Sequence, residues 1–158
     1  MKTREMGRLL ICVILLAGMF CSTAVFSGIG RTAAISVFTG DVSVRLSGEE
    51  KLLPAEIGMI LSEGDILLTK SKSTAVLAID GEEGTAMVEV GENSQLLIAE
   101  LVENQAGDKQ TLLDLALGKI LIKVKKVYDP DSKFEVKTPT SIMGVRGTEF
   151  SVEVEAIE

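Results

Sequence analysis

Three groupings of residues in this chain have types and spacings that chemistry uses. Asp80, Glu82 and Glu83 sit in one Asp-Gly-Glu-Glu-Gly stretch, where clustered carboxylates could hold a metal ion or act as an acid–base pair on a glycosidic bond. A solvated hairpin turn accounts for the same residues without a ligand, because Asp and Gly are what such a turn requires. Asp129 and Asp131 flank Pro130 and offer calcium two oxygens, but the stretch lacks the other ligands of a calcium loop and the proline favours a plain turn. Arg146 stands between Gly144 and Gly147. A guanidinium held on a tight turn can clamp a carboxylate from another strand, with Asp65, Asp80 and Glu149 as candidates, or face outward and bind an anion. The internal clamp is the preferred reading, because a half-buried arginine in such a turn is usually paired within its own fold.

Composition removes the commonest catalytic constellations. The chain has no His, and its two cysteines, Cys12 and Cys21, lie inside an apolar N-terminal run, so neither a Ser-His-Asp nor a Cys-His arrangement can be built. No convergent carboxylate pair is visible either. No catalytic residue, cofactor or metal ligand is expected, and the chain is not expected to be an enzyme. The lysines at 119, 123, 125 and 126 read as a solvated strand face that discourages edge pairing.

The N-terminus reads as a targeting segment. A basic cap, Met1 to Arg8, precedes the apolar run Leu9 to Phe26, and Ser22-Thr23-Ala24 suits cleavage after Ala24. A cleaved signal peptide is preferred over a retained membrane anchor helix, which the run is nearly long enough to form. Residues 1–27 are therefore set apart from a single domain over 28–158, and the chain is expected in the periplasm or cell envelope. Met19 and Phe20 are bulky where lipid attachment to Cys21 would favour small residues, so both cysteines read as small hydrophobes. The 16 basic and 23 acidic residues give a net charge of −7. Without Lys2, Arg4, Arg8 and Glu5 the body carries 13 and 22, a net of −9. So acidic a body has no footprint for a nucleic-acid backbone, and only the N-terminal segment would touch a membrane.

Past residue 30, short apolar runs alternate with Gly, Asp, Asn and Ser at the spacing of an all-β sandwich or barrel. Val42, Val44 and Leu46 share one face against Ser43 and Arg45. Ile120, Ile122 and Val124 oppose Leu121, Lys123 and Lys125; Phe150, Val152 and Val154 oppose Ser151, Glu153 and Glu155. Thr74 to Ile79 and Thr85 to Val90 are more continuously apolar and read as central strands covered on both faces. Asp80 to Gly84, Gly91 to Ser94 and Glu103 to Lys109 read as loops closing consecutive hairpins, a meander in mid-chain. Ser94 to Glu103 and Thr111 to Lys119 contain helix formers, with Ser94 a candidate N-cap, yet the flanking turns favour strands.

The order of these segments from residue 37 to 154 resembles the FecR-like family of bacterial extracytoplasmic domains. The specific part is Thr138-Pro139, four residues, then Gly144-Val145-Arg146-Gly147-Thr148, one residue and Phe150; Gly64-Asp65 adds a weaker signal. The resemblance implies a single jelly-roll or double-stranded β-helix-like domain. In the best-known members it also implies a regulatory role, in which the exported side receives a signal from an outer-membrane receptor and a cytoplasmic domain controls a sigma factor. Only eight residues precede the apolar run here, so a stand-alone module without the sigma-binding domain is expected. The short tail after Val154 suggests a missing closing strand and an exposed edge. The expected function is a binding or sensing module that contacts another exported or envelope protein. The alternative is a structural, self-associating envelope protein, a homo-oligomer. If Arg146 is an internal clamp, Arg146→Ala lowers the thermal midpoint of the domain rather than only weakening binding; an unchanged midpoint would count against it.

Overall fold

A strand with one apolar face needs a second apolar face to cover it, and this chain provides one by curling a single sheet over itself. The computed structural model describes residues 29–125, 131–145 and 149–155. The N-terminal segment, Lys126, Asp129, Pro130, Arg146, Gly147 and Thr148 lie outside the described residues, and so do the anchor helix and the Arg146 clamp. The strands are β1 (Ile29–Gly30), β2 (Ala33–Thr39), β3 (Val42–Arg45), β4 (Leu52–Pro54), β5 (Ile60–Leu61), β6 (Ile66–Thr69) and β7 (Thr74–Ile79). They continue with β8 (Ala86–Val90), β9 (Gln95–Glu103), β10 (Lys109–Val124), β11 (Lys133–Lys137), β12 (Ile142–Val145) and β13 (Glu149–Val154). No helix occurs among the described residues.

The main path of the sheet runs β4-β3-β6-β9-β10-β8-β7-β2-β5. The 16-residue β10 belongs to both wings. Its first half pairs antiparallel with β9 and parallel with β11; its second half pairs antiparallel with β8 and β13. The β10–β11 pair is the one parallel pairing among the described strands. At the junction Ala116 has no partner between Leu115↔Leu96 and Leu117↔Gln95, and Gly118 follows with φ +94°. A β-bulge next to a left-handed glycine bends the strand from one wing into the other. A Cβ on Gly118 would lie 2.5 Å from Ser94 Cα, so only glycine fits the corner.

Both wings contribute to one core. Ile35, Leu77, Val88 and Ile122 come from one side, and Leu67, Leu96, Ile98 and Leu113 from the other, all fully buried. The expected alternation holds in β3, in the second half of β10 and in β13. Where alternation fails in the sequence, a bulge restores it. Ala99 is skipped between Glu100↔Leu112 and Ile98↔Leu113, so Ile98 and Leu101, three apart, both face inward. Ser36 does the same in β2, letting Ile35 and Phe38 reach the core together. This three-residue apolar spacing gives Ser94 to Glu103 its helical look. Its assignment as a strand is correct.

Two expected hairpins exist, β7–β8 and β9–β10. Gly91 to Ser94 does not close a third: β8 pairs with β7 and β10, and the segment crosses between wings to reach β9. Ser94 is no N-cap. Its buried hydroxyl accepts from the Lys119 amide at 3.0 Å and donates to the Glu92 carbonyl at 3.1 Å, pinning the crossing to the β10 corner. β8 is central but alternates, with Glu89 exposed, so it is covered on one face only. Gly144 lies inside β12, not at a bend, and nothing crowds it. Gly118→Ala combines backbone strain with a collision against backbone, and is expected to cost about 2–5 kcal/mol in chemical denaturation.

Candidate functional site

Two features outside ordinary core packing stand out, a buried ionic knot and an open groove. The knot begins with Arg31, which follows β1 and is only 6% exposed. A guanidinium has five donors and must be fully satisfied to be tolerated at such depth. Arg31 Nε donates to Asp80 Oδ1 at 2.9 Å and Nη2 to Asp80 Oδ2 at 2.7 Å, a bidentate pair. Nη1 donates to Thr111 Oγ1 at 2.8 Å and to the Gln110 carbonyl at 3.1 Å. Nη2 also reaches Thr85 Oγ1 at 3.2 Å, and Thr85 Oγ1 donates to Asp80 Oδ2. Lys109 Nζ approaches the same carboxylate at 3.2 Å. Asp80 itself has φ +62°, a conformation its short polar side chain tolerates at the end of β7. The knot thus ties the start of the domain to the β7–β8 turn and to the first residues of β10.

Burial disfavours the charged form of Asp80. Hydrogen bonds from Arg31 and Thr85, with the positive charges of Arg31 and Lys109, outweigh it and hold the carboxyl below its ordinary pKa. Glu83, at the exposed tip of the turn, is also lowered, by its 2.8 Å hydrogen bond from Lys125 and by that lysine's charge. Among the described residues no buried side-chain polar atom lacks a partner, and no cluster of three or more His, Cys, Asp or Glu is placed to hold a metal ion.

The carboxylates named as candidate partners of Arg146 each have other partners among the described residues. Asp80 belongs to Arg31, so its part in the turn is not that of a solvated residue. Asp65 is buried and accepts from the amides of Ser47 and Ser62, both at 2.8 Å, fixing the Ser62–Asp65 turn in which Gly64 has φ +92°. Glu149 sits 3.6 Å from Lys123 on the exposed face. Lys119 and Lys125 likewise face Glu153 and Glu83 at 3.3 and 2.8 Å. Lys119 and Lys123 lie on β10, which is flanked on both sides, so they do not guard an edge. Sequence reading missed Arg31; the available signal was a lone cation in the otherwise uncharged stretch Gly28 to Val37.

The groove, of about 690 Å³, lies where the two wings meet beyond β10. One wall is the β11–β12 turn, where Thr138 Oγ1 accepts from the Ser141 amide at 3.1 Å and Pro139 is exposed. Met143 extends that wall. Ser151 to Glu155 form the other, and Ala116 and Leu117 of the β10 corner lie between. Thr138 and Pro139, from the specific part of the C-terminal motif, therefore line it. Val145 and Phe150 turn to the core instead. Among the described residues no helix is long and apolar enough to cross a membrane.

A family model described as FecR protein matches residues 65–157, more than half of the chain. No curated protein and no solved structure matches it.

Removing Arg31 leaves a carboxylate half-sheltered with only Lys109 and Thr85 beside it. Arg31→Ala is expected to cost about 2–4 kcal/mol, measured by urea unfolding. A lowered pKa in the folded state contributes stability that is present above the ordinary carboxylate value, about 3.9, and is lost as pH falls through the folded value. Asp80→Asn should therefore be less stable at neutral pH and should flatten the acid limb of a stability-versus-pH curve; an unaltered limb would remove Asp80 from acid unfolding.

Proposed function

This chain belongs to the FecR family, and from that premise we propose that it is a non-enzymatic sensing or binding module of the bacterial cell envelope. Its exported β-domain, in this reading of jelly-roll type, engages another exported protein in the groove between the β11–β12 hairpin and β13. Family membership supports a sensing or regulatory envelope module in general. The observation that carries the more specific reading is the composition of the groove walls. The family motif supplies one wall through Thr138 and Pro139, and an edge strand supplies the other. Apolar Leu117, Pro139, Met143, Val152 and Val154 give contact area, and exposed backbone gives polar partners. The basic N-terminus and apolar run fit an export signal cleaved after Ala24.

A photo-crosslinking residue at Thr140, beside the groove, is expected to capture one recurring foreign exported protein in the native cell. The same residue at Gln105, on the distant β9–β10 loop, should not. Capture from both positions alike, or self-adducts alone, would overturn the groove as the binding site and favour a structural, self-associating protein.

A further inference from the structure

Among the described residues β13 pairs with β10 on one side and with no strand on the other. Which of its backbone groups are free follows from the register. The Gly91 amide donates to the Lys119 carbonyl at 2.7 Å, and the Lys125 amide donates to the Thr85 carbonyl at 3.0 Å. Lys119 and Lys125 therefore direct their backbone polar groups toward β8, and by alternation Ile120 and Ile122 direct theirs toward β13. Their register partners Val152 and Phe150 face β10 in return. Ser151 and Glu153 consequently present N–H and C=O to the groove, the arrangement that accepts an added strand.

The side chains around that edge define what strand fits. Leu117, Pro139, Met143, Val152 and Val154 make the groove apolar, and the charged residues lining it are Glu153 and Glu155, both acidic. Glu149 extends the acidic row along the same strand. Glu153 and Glu149 have lysine neighbours, but these pairs are more than half exposed and contribute little, so the glutamates remain open to a further cation. A second copy of β13 is a poor occupant. Antiparallel self-pairing centred on Ser151 sets Glu149 opposite Glu153, and centred on Val152 sets it opposite Glu155, like charges that oppose pairing.

We infer that the partner contributes an extended segment of alternating apolar and basic residues, which adds to β13 as a strand. Its apolar side chains enter the groove, and its Lys or Arg side chains lie along Glu149, Glu153 and Glu155. This deepens the proposed function and rests on its reading of the groove.

The test uses the full chain in mild detergent and fluorescent peptides of about six residues, an ordinary strand length. A peptide alternating Val and Lys is expected to bind by fluorescence anisotropy, more weakly as salt is raised. A Val and Glu peptide should bind at least about tenfold more weakly, and so should a Val and Lys peptide N-methylated at alternate amides. Ser151→Pro, which removes an outward N–H together with the hydroxyl that donates to the Ile120 carbonyl at 3.3 Å, should weaken the Val and Lys peptide similarly; the N-methylated peptide gives the same information without altering the protein. Equal binding of all the peptides, or none, overturns the inference, and so does concentration-dependent dimerisation abolished by Ser151→Pro. If the Val and Lys peptide fails while Thr140 still crosslinks a foreign protein, strand addition falls and the groove reading stands. If both fail, both fall.

Discussion

The constraint on which the architecture depends is the length of β10. Sixteen residues in one straight strand would extend about 50 Å, whereas a domain of this size is about 35 Å across. The strand must bend, and the bulge at Ala116 with the left-handed Gly118 is where it does so. Everything on either side inherits its place from that corner. The first half of β10 sets β9 and β11 in one wing, the second sets β8 and β13 in the other, and Ser94 is pressed against the glycine between them. A single conformational exception thus converts one hydrogen-bonded ladder into two apolar faces that cover each other.

The ionic knot answers a different requirement. Strand ladders hold neighbours together, but the start of the domain and the β7–β8 turn lie at the ends of their strands. Arg31 links them to Gln110 and Thr111 through a directional network that a hydrophobic contact could not define. Pairing of this kind contributes modestly to net stability, since desolvation offsets much of the attraction. One guanidinium here binds groups from the β7–β8 turn and from the start of β10 at once.

How much of this the sequence conveyed follows the range of each interaction. Local alternation in β3, β10 and β13 was legible because the period of a strand is written in adjacent residues. The all-β class and two of the hairpins followed from the same signal and from turn chemistry. Bulges blur that signal: Ile98 and Leu101 look helical until Ala99 is recognised as the residue without a partner. Strand order was not legible, because Gly91 to Ser94 has the composition of a hairpin turn and only the pull of Lys119 and Thr69 makes it a crossing. The candidate site was legible in part. The motif drew attention to Thr138 and Pro139, which line the groove, but Ser151, Glu153 and Leu117 reach it through pairing that no local pattern encodes. Asp80 was singled out, but the arginine it binds was not, because a residue 49 positions earlier is as distant in sequence as any other.

The knot also orders events in time. Arg31 and Thr111 are separated by 80 residues, and bringing them together costs loop entropy of about 4 kcal/mol before any contact offsets it. The N-terminal third of the domain has no means of completing its own core, since β2 relies on β7 and the knot relies on β10. A nascent chain therefore stays unfolded until most of it has been synthesised, and its folding is slow in the manner of proteins dominated by distant contacts.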